Sequence, residues 1–174
     1  MTIDRIPLPP PAPGSLFLCA RADAAPDPEA ALKNAGGASL MVCLNELHEL
    51  AANYLDYVDW LRANEGGRAL WHPTRDWGAH GIAAALPAIR TIVARLRAGD
   101  GVLMHCALGQ GRAGTMAVCV LTMLGDDRQR ALRSVADHRR HAGPASGAQW
   151  ALVDALDDHL ADERTALDSG IMES

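Results

Sequence analysis

The chain has 174 residues, 49% of them apolar, with 16 basic against 21 acidic side chains for a net charge of −5. That length supports one domain with a real core, and the acidic balance argues against a nucleic-acid binder, which would carry a basic face. No apolar run approaches membrane-spanning length, and the N-terminus lacks the basic-then-apolar pattern of a signal peptide.

Taken in order, Pro7 to Pro13 reads as an extended, polyproline-like segment. Residues 1–14 form a proline-rich lead-in, 15–162 a single domain and 163–174 a polar tail. Leu16 to Ala20 is the first strand, and Pro26 to Lys33 a short helix stopped by Gly36-Gly37. Ser39 to Leu44 is a short, fully apolar run bounded by turn signals, as buried parallel strands are. A helical stretch begins over Asn45 to Leu50, and Tyr54, Tyr57, Val58 and Leu61 recur at helical spacing over 54–64. Arg68 to His72 is the next strand, ended by Pro73, which cannot donate to a ladder. Ile82, Leu86, Ile89, Ile92, Val93 and Leu96 mark one face of a helix from Gly81 to Ala98. A central strand follows Gly101, and helices are expected over 112–124, 126–141 and 146–162. Strands alternating with helices predict an α/β fold: a three-layer sandwich with a mainly parallel central sheet flanked by helices. Ligands of such sheets bind beyond the carboxyl ends of the strands, where Asn45, Asp76 and Cys106 all fall.

The run Val102 to Cys106 ends abruptly in His105-Cys106; Ala107, Leu108, Gly109, Gln110, Gly111 and Arg112 follow, then the apolar stretch from Met116. This is a strand, a glycine-rich loop and a helix. Such a loop is a ready anion site, because amides at a helix N-terminus lack helical partners. Gly109 and Gly111 allow the backbone angles that stack amides into a concavity. Arg112 adds a planar fork suited to two phosphate oxygens. Cys106 stands at the mouth, where the positive environment favours the nucleophilic thiolate.

Cys, five residues and Arg, with His before the Cys and Gly three after it, resembles the protein tyrosine phosphatase superfamily. The loop HCALGQGRAGT is most similar to the dual-specificity branch and to small phosphatases like cyclin-dependent kinase inhibitor 3. The resemblance spans roughly residues 15–160 and implies the phosphatase fold, a phosphocysteine intermediate on Cys106, and phosphate held by Arg112 and the amides of residues 107–112. It also implies a general acid on a loop some thirty residues before the Cys. Asp76 lies thirty positions before Cys106 in His72-Pro73-Thr74-Arg75-Asp76, and would protonate the leaving group, then deprotonate the attacking water. The chain departs from the family pattern twice. His80 stands near where a proline often stiffens the acid loop, and Ala113 replaces the hydroxyl residue that usually follows the Arg and donates to the sulfur. His105 is implied to orient the loop, and Gln149, at a helix start, to help place water.

Relatives often carry a cysteine at the end of the neighbouring strand that pairs with the nucleophile, which makes Cys43 a possible redox partner. Neighbouring strands are about 4.8 Å apart, within disulfide reach. The alternative is a buried apolar role for Cys43. Cys19, Cys43, Cys106 and Cys119 show no metal spacing and no disulfide framework, and His72, His80, His138 and His141 have no third ligand, so neither metal nor cofactor is expected. Arg75, Arg139 and Arg140 are candidates to meet the flanks of a phosphorylated substrate, with solvated surface arginines as the default reading.

The resemblance implies a phosphorylated protein or peptide as substrate, carrying phosphotyrosine and possibly phosphoserine or phosphothreonine. No nucleic acid or membrane is expected, and a cytoplasmic monomer is the simplest setting. A phosphoinositide-type substrate is the alternative, although Ala107, Leu108 and Gln110 supply no loop lysine for it. A rhodanese-like enzyme would have a shorter loop. A pseudophosphatase that only binds phosphorylated partners is a further alternative, disfavoured by the joint presence of Cys106, Arg112 and Asp76 but kept open by Ala113.

Overall fold

The computed structural model describes residues 2–171, with the side chains of 2–167. In chain order its elements are β1 (Ile3–Ile6), β2 (Ser15–Ala20), α1 (Arg21–Ala24), α2 (Pro28–Asn34), β3 (Leu40–Cys43), α3 (Leu47–Ala51), α4 (Leu55–Asn64), β4 (Ala69–Trp71), α5 (Ile82–Arg97), β5 (Gly101–Cys106), α6 (Gly111–Met123), α7 (Arg128–His138) and α8 (Gly147–Ile171). The sheet order is β1-β2-β5-β3-β4, with β5 at its centre. The pairings β2–β5, β5–β3 and β3–β4 are parallel, and only β1 runs antiparallel, against β2.

The central strand is buried from Val102 to Cys106, covered on both faces, and its one polar side chain, His105, is buried with the rest. Val102, Met104 and Cys106 join one core with the buried stripes of α5, α6, α7 and α8. Leu103 faces the other way, into a second core built from α1, α2, α3 and α4. These two cores are the outer contacts of the three-layer sandwich. In α5 the buried residues Ala85, Ala88, Ile89, Ile92, Val93 and Leu96 follow the helical period expected for its inner face. Among the described residues, no helix is long and apolar enough to cross a membrane.

Three elements differ from the sequence reading. The single turn α1, over Arg21–Ala24, follows β2 directly where no helix was expected. β1 was not expected, since Ile3-Asp4-Arg5-Ile6 is four residues long with charges at its centre. It forms because β2 offers an open edge, and the burial of Ile6 holds it there. Helix α8 runs nine residues past its expected end at 162, to Ile171. Glu163, Arg164, Ala166 and Leu167 are good helix formers at the start of that stretch, and the Arg90–Glu163 ion pair (2.9 Å) ties it to α5. Residues 172–174 of the expected polar tail lie outside the described residues.

Candidate active site

The parallel strands β2, β3 and β5 end at Ala20, Cys43 and Cys106, so the loops that follow them converge on one edge of the sheet. After Cys106 the chain turns through Ala107–Gln110 into α6. No side chain caps this helix, and no acidic residue sits in its first turn. Its orphan N–H groups and the positive end of its dipole are therefore left for an anion. Gly109 has φ +68°, and a Cβ there would stand 2.1 Å from the carbonyl oxygen of Cys19. Only glycine fits so tight a turn against β2. Gly114 allows a second close approach: a Cβ would stand 2.2 Å from the amide nitrogen of Gly143.

Arg112 lies under the loop, 4% exposed. Its NH1 donates to Glu49 Oε2 (2.6 Å) and to the Thr74 carbonyl (2.8 Å), and its NH2 donates to Glu49 Oε1 (2.9 Å). The same NH2 meets Asp76 Oδ1 at 3.1 Å. A guanidinium this buried requires a counter-charge, and Glu49 supplies it in bidentate form. Burial alone would raise the Glu49 carboxyl, but hydrogen bonds from Arg112, the Glu46 amide and Asn45 outweigh it and hold the group at about 2. Nε of Arg112 has no partner among the described residues. The arginine is thus fixed in direction with one buried donor unspent.

Asp76, expected as the general acid, lies on the loop after β4, and its side chain is 63% exposed. With Cys106, Ala107, Leu108, Gln110, Gly111, Arg112 and Gln149 it lines one cleft of about 250 Å³, which Trp77 and His141 also border. The loop is stapled at several points. His80, standing near where a proline often falls in the family, lies tilted against His72 with ring centroids 4.5 Å apart and bonds the Pro73 carbonyl through Nε2 (2.8 Å). Ser146 donates to the Trp77 carbonyl (2.7 Å), and Gln149 Nε2 to the Gly78 carbonyl (3.3 Å). Gln149 also accepts from the Ala145 amide (2.8 Å). It is therefore a buried link between the acid loop and the start of α8.

His105 is fully buried; its Nε2 bonds the Tyr57 hydroxyl at 2.5 Å. Burial holds the imidazole at about 3, so it is neutral at ordinary pH. Ala113 offers no hydroxyl, and the Thr115 hydroxyl is spent on the Gly111 carbonyl (2.7 Å). The structure does not bring Cys43 together with Cys106. The register pairs Cys43 with His105, and its side chain joins the core on the α4 side, whereas Cys106 belongs to the core on the α6 side. A 43–106 disulfide would need a side chain to cross the sheet. No group of three or more His, Cys, Asp and Glu among the described residues is arranged to hold a metal ion.

Two residues of the site escape the sequence reading. Glu49 is one; its signal was the capping box formed with Glu46, two acidic residues three apart at a helix start. Arg139 is the other: it is 9% exposed and lies beneath the phosphate loop, not on a solvated surface.

Residues 19–153 match the model of the Swiss Army Knife protein DSP-PTPase phosphatase domain. The chain belongs to this dual-specificity branch of the cysteine-based protein tyrosine phosphatases. No curated protein matches it. Among solved structures it is similar to the active form of Tk-PTP (25% identity, 83% of this chain and 90% of that one, TM-score 0.63). It is also similar to kinase associated phosphatase with its catalytic cysteine replaced by serine (22%, 92% and 96%, TM-score 0.71). A mouse putative dual specificity phosphatase complexed with zinc tungstate shares the fold as well (21%, 93% and 90%, TM-score 0.69).

Proposed function

We propose that the chain is a protein phosphatase that hydrolyses phosphotyrosine, with activity on phosphoserine and phosphothreonine, through a phosphocysteine on Cys106. The observation that carries this reading is the single cleft lined by Cys106, Asp76, Arg112 and the loop that begins α6. The sulfur of Cys106 attacks phosphorus; the S–P bond forms as the ester P–O bond breaks. Asp76 gives its proton to the leaving oxygen. Water then yields a proton to Asp76 and attacks phosphorus, and the S–P bond breaks to return the thiolate. Arg112 Nε and the loop amides stabilise the charge on the equatorial oxygens through both steps. Trp77 and Leu108 border the cleft at 67% and 64% exposure, an apolar rim suited to the ring of a phosphotyrosine. All four cysteines are free, which fits a reducing cytoplasm.

Hydrolysis of para-nitrophenyl phosphate, inhibited by vanadate, tests the reading. Cys106→Ser should remove all turnover while the protein stays folded. Asp76→Ala should cost about 10²-fold or more in kcat on alkyl phosphates and less on para-nitrophenyl phosphate, whose leaving group needs little protonation. Turnover that survives Cys106→Ser would overturn the mechanism, and equal losses on both substrates would remove Asp76 as the acid.

A further inference from the structure

We infer that Arg139 is a positioning residue that aims the amides of the phosphate loop from behind, held in place by Asp4 of β1; the inference rests on the phosphate-loop reading above. Arg139 follows α7 in extended conformation, with φ −134° and ψ 111°. Its Nε donates to the Gly109 carbonyl (2.7 Å) and its NH2 to the Leu108 carbonyl (2.6 Å). Its NH1 reaches Asp4 Oδ2 (2.6 Å) and, more distantly, the Leu18 carbonyl (3.4 Å). All three guanidinium nitrogens are thus engaged, two of them on successive carbonyls of the loop.

The consequence follows from peptide geometry. In a trans peptide, the C=O of one residue and the N–H of the next point in opposite directions. Gripping the carbonyls of Leu108 and Gly109 on the outer side therefore turns the N–H groups of Gly109 and Gln110 toward the cradle. The Arg21 amide bonds the Ala107 carbonyl (3.3 Å) and turns the Leu108 N–H the same way. Three successive peptides are set so that their donors make one anion-binding concavity. Without the clamp, Gly109 is the weak point, because glycine permits the flip that would swing a carbonyl into the phosphate site. Asp4 balances the buried charge of Arg139, as a buried cation requires. The N-terminal strand thereby becomes part of the support of the active site, though β1 contributes nothing to the cleft itself.

The test uses the full chain and inorganic phosphate. In the wild type, the backbone amide resonances of Gly109 and Gln110 should shift on adding phosphate. Arg139→Met should weaken phosphate binding by about 10²-fold, the scale of losing an oxyanion donor, and move those two resonances in the free protein. Arg139→Lys keeps one donor and should lose about tenfold, and Asp4→Asn, acting only through Arg139, roughly threefold. A general loss of stability would lower the melting temperature without selecting these two amides. Folded Arg139→Met and Arg139→Lys variants that bind phosphate like the wild type, with unchanged Gly109 and Gln110 amides, would overturn the inference. If Arg139→Met does not fold, wild-type affinity in both Arg139→Lys and Asp4→Asn overturns it equally. A wild type that binds phosphate through these amides but turns nothing over supports the inference and sinks the phosphatase reading instead.

Discussion

At the scale of single residues, the site is a chain of constraints that ends on one sulfur. Glu49 fixes Arg112, Arg112 meets Asp76, and both border the cleft that Cys106 opens into. The missing constraint is a hydroxyl beside the sulfur, since Ala113 has none and Thr115 is turned back on its own helix. Loss of a donor to the leaving thiolate slows breakdown of phosphocysteine more than its formation. Rapid-quench kinetics on the wild type should therefore show a burst of product, and Ala113→Ser should raise the steady rate and shrink the burst. No burst in the wild type and no gain in the variant would mean that another group already serves the sulfur.

Among the elements, α8 and the acid loop act as one unit. Ser146 and Gln149, at the start of the helix, hold the carbonyls of Trp77 and Gly78. A net hydrogen bond is worth about 1 kcal/mol, so Gln149→Ala, which removes two, should lower kcat on a phosphoserine peptide roughly five- to thirtyfold. KM for para-nitrophenyl phosphate should change less than kcat, since Gln149 meets the cradle only at Gly111, whose Cβ position is 3.3 Å from the Gln149 amide nitrogen. A rise confined to KM would show that Gln149 binds substrate and does not hold the loop. The strand, loop and helix around Cys106 were legible within a residue or two, because an apolar run and a glycine-rich turn are local signals. Asp76 lines the same cleft, and it was marked by its distance from Cys106. Glu49 and Arg139 were not, because what makes them functional is contact across the chain: 63 residues separate Glu49 from Arg112, and 30 separate Arg139 from Gly109. The face that Cys43 occupies was hidden for a related reason. Strand adjacency was readable, but the register that sets its face was not.

For the molecule as a whole, the same buried groups set its response to acid. His105 is held at about 3 against an ordinary 6.5 by burial, and Glu49 at about 2 against 4.5 by its hydrogen bonds despite burial. Burial and the neighbouring His80 push His72 downward as well. In each case the unfolded chain takes up a proton before the folded one does. The stability they contribute is complete above about pH 6.5 and is lost as pH falls, first through the histidines and below 4.5 through Glu49. The slope is at most about 1.4 kcal/mol per pH unit for each proton. Urea unfolding should therefore show a lower midpoint at pH 5 than at pH 7, and His105→Gln should flatten most of that difference. Equal midpoints at the two pH values in the wild type would contradict the buried neutral imidazole.

The sheet also sorts the four cysteines. Cys19, Cys43 and Cys119 are fully enclosed, and burial pushes their thiols up to about 12. Cys106 alone borders the cleft. To a small alkylating reagent at neutral pH, the folded protein is therefore a one-thiol molecule. One equivalent of label counts intact active centres, and each further equivalent taken up counts chains whose sandwich has opened.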